Sequence, residues 1–359
     1  MPRTSSLILA LAIVSAGCAH TPPPTAESGA PEGPFQEGSP LRLTWSGSGG
    51  RGSDAPPISF GSRSPSWRPE AGTVAYAYGG YSNDGPDGCV GGLPSGGGAR
   101  VWELCDSDAS RRDTITTADW PAERRDGAVA LVRRRWSPIG RTPYYSELAL
   151  RPAGDGQAAA RVLPIPYPAP GAGVPVQGVA FPAWLDDHRL LVLAQVWMRS
   201  LYDNVDTGLE IEILDLTLGT SGVTTIPGTL YASSVAPGAT PDTIYFTLGG
   251  DSLVYRRALS SGVVDTVVDF GALGIARDVQ VRNGRLVAVV GGSVTAGAHP
   301  YLGYAQYDGG GPLYLVTLGT GQPTLVESVN DRWKHPTLDP AGTAVIAEQG
   351  GDLWRIPLP

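Results

Sequence analysis

Eleven residues carry side chains suited to recognition: Tyr81, Arg134, Trp136, Arg141, Tyr144, Trp197, Arg199, Tyr202, Tyr301, Tyr304 and Tyr307. They fall in four stretches, 79–99, 133–146, 195–208 and 291–311. Trp, Tyr and Arg are the types enriched at binding hot spots. The rings give rigid, amphipathic contact area, and the guanidinium gives a planar fork of donors. Catalytic signatures are scarce. The chain has no GxSxG elbow, Walker loop, HExxH or CxxC. His20, His188, His299 and His335 stand isolated, without a second His, Cys or carboxylate at ligand spacing. The Asp186-Asp187-His188 triplet reads as turn chemistry. Asn83, Asp84 and Asp87 set oxygen ligands on a Gly-rich loop, as a Ca²⁺ site would. They lack the EF-hand spacing and its distal Glu, and Asp-Gly turns account for them better. No metal or cofactor is expected.

The elements that must position these residues are short strands. The chain has 359 residues, with 49 Gly, 33 Pro and only 17% charged residues. That composition makes many turns and few long polar helix faces. Alternating runs of Val, Thr, Leu and Tyr recur, and no long 3.6-residue periodicity follows residue 20. The net charge of −8 disfavours nucleic acid as a partner. Lys334 is the only lysine, a bias read as codon composition.

Six segments share one pattern: "PSWRPEAGTVAYAY" from Pro65, "ADWPAERRDGAVALV" from Ala118, "PAWLDDHRLLVLA" from Pro182, "SVAPGATPDTIYFTL" from Ser234, "DVQVRNGRLVAVV" from Asp278 and "HPTLDPAGTAVIAE" from His335. Each has an apolar lead, a polar turn and an apolar strand. Trp67, Trp120 and Trp184 take one place in the pattern, with Leu338 in the last copy. That place reads as packing between neighbouring units. A third strand follows each copy ("RVWELCDSD" in the first), and a fourth follows five of them ("DTITT" in the first). Four strands per period, repeated four to eight times, indicate a β-propeller. The sixth unit ends at Pro359 without its fourth strand, while "PLRLTW", residues 40–45, is an orphan strand ahead of the first. The expected fold class is all-β: a six-bladed β-propeller of four-stranded antiparallel blades. The N-terminal strand completes the last blade, since an unpaired edge would leave the ring open.

Residues 1–17 read as a signal peptide: Arg3, an apolar run from Leu7 to Val14, then small residues. Ser15-Ala16-Gly17-Cys18 resembles a bacterial lipobox, which implies lipidation at Cys18. Ala19 after it points to the outer membrane of a Gram-negative cell. Cleavage after Ala19 by the small-residue rule is the alternative. Residues 18–39 form a Pro-rich tether, and 40–359 the propeller domain. Export leaves Cys89 and Cys105 as an even pair in an oxidising compartment, expected to form a disulfide, with two free thiols as the alternative.

The pattern Pro-x-Trp-x-Pro-(Asp/Glu)-x-Gly at Pro65 to Gly72 resembles the WD40-like repeat of TolB-type β-propellers. His335 to Gly342 is a second copy. The resemblance spans residues 40–359 and implies a six-bladed, envelope-facing propeller. The separate N-terminal α/β domain of that family has no counterpart in the signal and tether, so the resemblance carries fold and not activity. The expected function is a lipid-anchored binding or scaffold module that meets a protein partner through long loops on one face. Two alternatives stand: an enzyme with carboxylates such as Asp278 or Asp331 at the channel mouth, or a sensor of an envelope glycan or small ligand.

Overall fold

The computed structural model describes residues 40–44, 63–68, 72–78, 81–82, 85–86, 89–97, 100–105, 115–136, 143–153, 161–162, 179–199, 205–218, 222–291, 310–327 and 332–359. Cys18 and the tether lie outside them, as do Asn83, Asp84, Asp87, Arg141, Tyr202, Tyr301, Tyr304 and Tyr307.

Six four-stranded antiparallel sheets make the body. Blade one is Arg63–Trp67, Thr73–Tyr78, Cys89–Pro94 and Trp102–Cys105. Blade two is Ile115–Glu123, Val129–Trp136, Pro143–Arg151 and Arg161–Val162. Blade three is Val179–Trp184, Arg189–Arg199, Val205–Asp215 and Val223–Thr225. Blade four is Ala232–Pro237, Thr243–Leu248, Leu253–Ala258 and Val264–Asp269. Blade five is Ala276–Arg282, Arg285–Val290, Leu313–Thr317 and Pro323–Glu327. Blade six is Lys334–Leu338, Ala344–Gln349, Asp352–Pro357 and the N-terminal Leu41–Arg42. The first strands touch one another in a closed cycle, each against the next and blade six against blade one. They therefore line the axis.

The second strands are buried on both faces, because each blade is covered by two neighbours. Leu190 to Ala194 are wholly inaccessible, as are Val74, Ala75 and Ala77. Such strands read as unbroken apolar runs. The apolar clusters lie between blades: one joins blades two to four, and others join four to five, five to six, six to one and one to two.

The expected ring closure is observed. Leu41 pairs with Arg355 and Arg42 with Trp354. Leu43 is fully buried, and its N–H donates to the Leu353 carbonyl at 2.7 Å. Thr44 Oγ1 accepts the Leu353 N–H at 2.9 Å, and Arg42 pairs with Asp352 at 2.5 Å.

Blade one departs from the expected strand order. Its third strand is Cys89–Pro94, inside the stretch 79–99 expected to be a loop, and "WELC" is the outer strand. Gly91 and Gly92 hid it by breaking the apolar pattern. They are glycines because the Arg100 and Trp102 side chains fill their space; a Cβ on Gly92 would stand 2.1 Å from Trp102 Nε1. "DTITT" is no outer strand either: Ile115 opens the inner strand of blade two.

In an antiparallel blade the first-to-second turns emerge on one face. The second-to-third connections and the links between blades emerge on the other. On the turn face, arginines clasp neighbouring blades. Arg68 donates to the Arg125 carbonyl at 2.8 Å, Arg124 to that of Asp187, and Arg189 to that of Pro241 at 3.3 Å. Arg282 reaches the Leu338 carbonyl at 3.2 Å, and Asn283 that of Ala341 at 2.7 Å. Guanidinium reach and its fork of donors suit this task. The arginine bias therefore has structural uses at these positions.

Candidate functional site

Two regions carry chemistry, the link face and the axis. The link face is uneven. Every inner strand has a bulge, and the pair before it gives a common level around the ring. In blades one, four, five and six the second strand stops within one residue of that level, at Tyr78, Leu248, Val290 and Gln349. In blade two it runs four residues further, from Val132 to Trp136. In blade three it runs six, from Leu193 to Arg199, still paired with the third strand down to Val205. At about 3.3 Å per residue these hairpins rise roughly 13 and 20 Å above the level.

Arg134, Trp136, Tyr144, Trp197 and Arg199 therefore sit on strands and not on loops as expected. Arg134 lies opposite Ser146, Trp136 opposite Pro143, Trp197 opposite Thr207 and Arg199 opposite Val205. Tyr144 sits at a register break between Pro143 and Tyr145. Tyr81 pairs with Pro86 in a small hairpin that keeps the register of the Tyr78–Cys89 pair of blade one. Cys89 and Cys105 are direct cross-strand partners.

The axis is built by the bulges. Trp120, Phe181, Asp278 and His335 occupy them with φ of 42, 50, 48 and 47°. Left-handed backbone costs an L-residue about 1 kcal/mol or more. A bulge also frees backbone N–H groups from the ladder. Side chains of the neighbouring blade take them up: Val279 N–H donates to Ser234 Oγ at 3.2 Å, His335 N–H to Asp278 Oδ2 at 3.1 Å, and Trp67 N–H to Thr337 Oγ1 at 3.0 Å. Blades two and three place aromatics there instead, with the Trp120 and Phe181 rings 5.0 Å apart. Phe181 meets His335 of the opposite blade at 5.9 Å, so rings close the axis at the bulge level.

His335 is not isolated, as the sequence suggested. Its Nδ1 lies 3.1 Å from Oε2 of buried Glu348, thirteen residues on and in the paired strand. No sequence motif marks the pair, because a bulge sets its register. A carboxylate at Nδ1 orients an imidazole, an arrangement used in both catalysis and ligand binding. Asp278 lines the axis as expected. Asp331 lies outside the described residues. Among the described residues, no group of three His, Cys, Asp or Glu side chains could hold a metal ion.

A cavity of about 120 Å³ opens along the axis on the turn-face side of these rings. All its lining residues come at or after the bulge of their strand, ending at Trp67, Glu123, Trp184, Pro237, Arg282 and Thr337. Trp67 and Trp184 are equivalent, two residues past their bulges, and Leu338 takes the same place. Trp120 is not, which corrects the alignment: it is the bulge residue, and Glu123 occupies the place of Trp67. Putting a carboxylate in that apolar position has a cost. Burial pushes the Glu123 carboxyl up to about 7, against the opposing pull of Arg68 and Arg151. Trp184 packs as expected, its Nε1 donating to the Ala122 carbonyl at 2.9 Å.

No family model and no curated protein matches the sequence. Solved structures do match. A gluconolactonase from Xanthomonas campestris aligns over 84% of this chain and 87% of its own, at 17% identity and a TM-score of 0.52. A protein provisionally assigned as TolB from Agrobacterium tumefaciens aligns over 83% and 90%, at 12% identity and 0.52. TolB from Acinetobacter baumannii aligns over 80% and 63%, at 16% identity and 0.46. At these identities the likeness is one of fold: the chain is a six-bladed β-propeller with the architecture seen in TolB and gluconolactonase structures.

Proposed function

We propose that the chain is a lipid-anchored envelope propeller that binds a protein partner on its link face. The supporting observation is the pair of raised hairpins in blades two and three. Among the described residues these two second strands run unbroken past the common level, and their tips carry Trp136 and Trp197; in blade one the Tyr81–Pro86 and Ser82–Gly85 pairs extend the same register beyond Tyr78. Aromatic residues on well-paired strands lose little entropy on binding, which suits hot spots. Signal cleavage and lipidation at Cys18, with a Pro-rich tether over residues 18–39, set this face free of the membrane surface. The Cys89–Cys105 disulfide belongs to the same reading of an oxidising compartment. The test is crosslinking and pull-down from native envelopes, with lipid labelling at Cys18. Trp136→Ala with Trp197→Ala should lose the captured protein while the melting temperature holds. Capture unchanged by the double variant would sink the reading.

A second reading, an enzyme, is favoured by the His335–Glu348 contact beside Asp278 on the axis. An envelope glycan sensor is the third. The axial cavity, about 120 Å³, is small for an oligosaccharide, since ligand sites run to roughly 300–1,000 Å³. A glycan array separates it from protein capture.

A further inference from the structure

The axial cavity holds two buried carboxylates with unmet acceptors. Asp278 and Glu123 are 8% and 4% exposed, and both line it. Asp278 Oδ1 and Glu123 Oε2 are closed to solvent and have no hydrogen-bond partner. Each such oxygen costs about 1–3 kcal/mol unless a donor meets it. They stand on blades two and five, on opposite sides of the ring. Arg68 Nη1 lies 3.5 Å from Glu123 Oε1, and Arg151 also acts on this carboxyl. Arg282, also in the cavity wall, spends a donor on the Leu338 carbonyl and faces Asp339 of the next blade. The His335 ring is turned to Glu348 through Nδ1. The remaining wall includes Trp67, Trp120, Phe181 and Trp184.

From this arrangement we propose that the cavity is a binding site for a small organic ammonium, a primary amine on a short apolar body. The chemistry of the wall selects that class. The two unmet carboxylate oxygens are acceptors, so the ligand brings donors, and an ammonium brings three. The aromatic wall favours a cation with an apolar body over a bare metal ion, which would need a cluster of ligands that the described residues do not offer. The volume admits one chain end or one small ring and no more. The site lies on the turn-face side of the ring plug, apart from the raised hairpins, and does not depend on the partner reading.

The test titrates propylammonium chloride into the full chain above pH 7, where the Glu123 carboxyl is ionised, against sodium chloride of equal strength, reading the indole N–H signals of the nine tryptophans by NMR. The expected result is a saturable shift of a few indoles, absent with 1-propanol. Asp278→Asn keeps an oxygen for the His335 N–H and should weaken binding about tenfold, the worth of one charge-assisted bond. No saturable shift, or equal shifts with 1-propanol, overturns the proposal. If Asp278→Asn folds poorly, Glu123→Gln carries the same test: weaker binding supports the site, and wild-type affinity overturns it. Trp136→Ala should leave this titration unchanged, so failure here and failure of partner capture are separable.

Discussion

Glu123 and Glu212 are the residues most at odds with the repeat, and they make the stability of the ring depend on pH. Both are buried, at 4% and 8% exposure. Burial raises each carboxyl to about 7; at Glu212 the nearby Glu210 adds to the rise. The folded state thus holds protons that the unfolded chain releases above about 4.5. Stability from this source is full below pH 4.5 and is lost as pH rises through 7. The loss is at most about 3 kcal/mol per glutamate. Melting temperature should fall between pH 5 and 7.5, and Glu123→Gln with Glu212→Gln should flatten that slope. A double variant with the wild-type slope would refute the assignment. Neither glutamate was legible in the sequence. The turn after Glu123 is one residue shorter than that after Trp67, and the bulge shifts Trp120 out of line, so the alignment matched Trp120 to Trp67. His335 and Glu348 escaped for the same reason: neither composition nor spacing reveals a bulge.

Among the elements, the N-terminal strand is the one whose role the sequence made plain. An orphan alternating strand at one end and a unit short of one strand at the other left a single economical solution. Its energetic weight is concentrated at Leu43 and Thr44. Truncation to residue 39 should leave the melting temperature unchanged, while truncation through 44 should lower it sharply. Leu43→Ala alone should cost about 2–5 kcal/mol, as for other fully buried leucines. A truncation through 44 that melts like wild type would show that the ring does not need this closure. The third strand of blade one was illegible because its glycines serve Arg100 and Trp102, which lie outside the strand. Its pairing places Cys89 directly opposite Cys105, a spacing that a disulfide can span. A reductant should therefore lower the melting temperature of wild type and leave Cys89→Ser with Cys105→Ser unmoved. The clasps are testable too. Arg124 forks onto Asp126 at 2.6 and 2.8 Å, lies 4.8 Å over the Trp184 ring and reaches the Asp187 carbonyl. Arg124→Lys keeps the charge but loses the fork and most of the stacking, and should cost about 1 kcal/mol, after screening at this half-exposed site.

At the scale of the molecule, the two faces do different work on one rigid frame. The turn face is bound blade to blade by short turns and arginine clasps, and it surrounds a cavity closed at depth by Trp120, Phe181 and His335. The link face carries insertions, and the overrun of blades two and three makes it lopsided. A ring whose apolar clusters lie between blades has no independent part: each blade is half of two cores. Unfolding should accordingly be a single transition, seen alike by tryptophan fluorescence and by far-ultraviolet circular dichroism. The separation of the faces follows from the same frame. The axial rings block the channel between them, and the hairpin tips stand roughly 13–20 Å beyond the bulge level by strand rise. Substitutions on the hairpins should therefore alter partner capture without moving either the single melting transition or the indole shifts at the cavity. Asp278→Asn should do the reverse, changing the indole titration and sparing capture. Coupling between the two readouts, with either substitution moving both, would mean that the rings at the axis are a movable joint and not a plug.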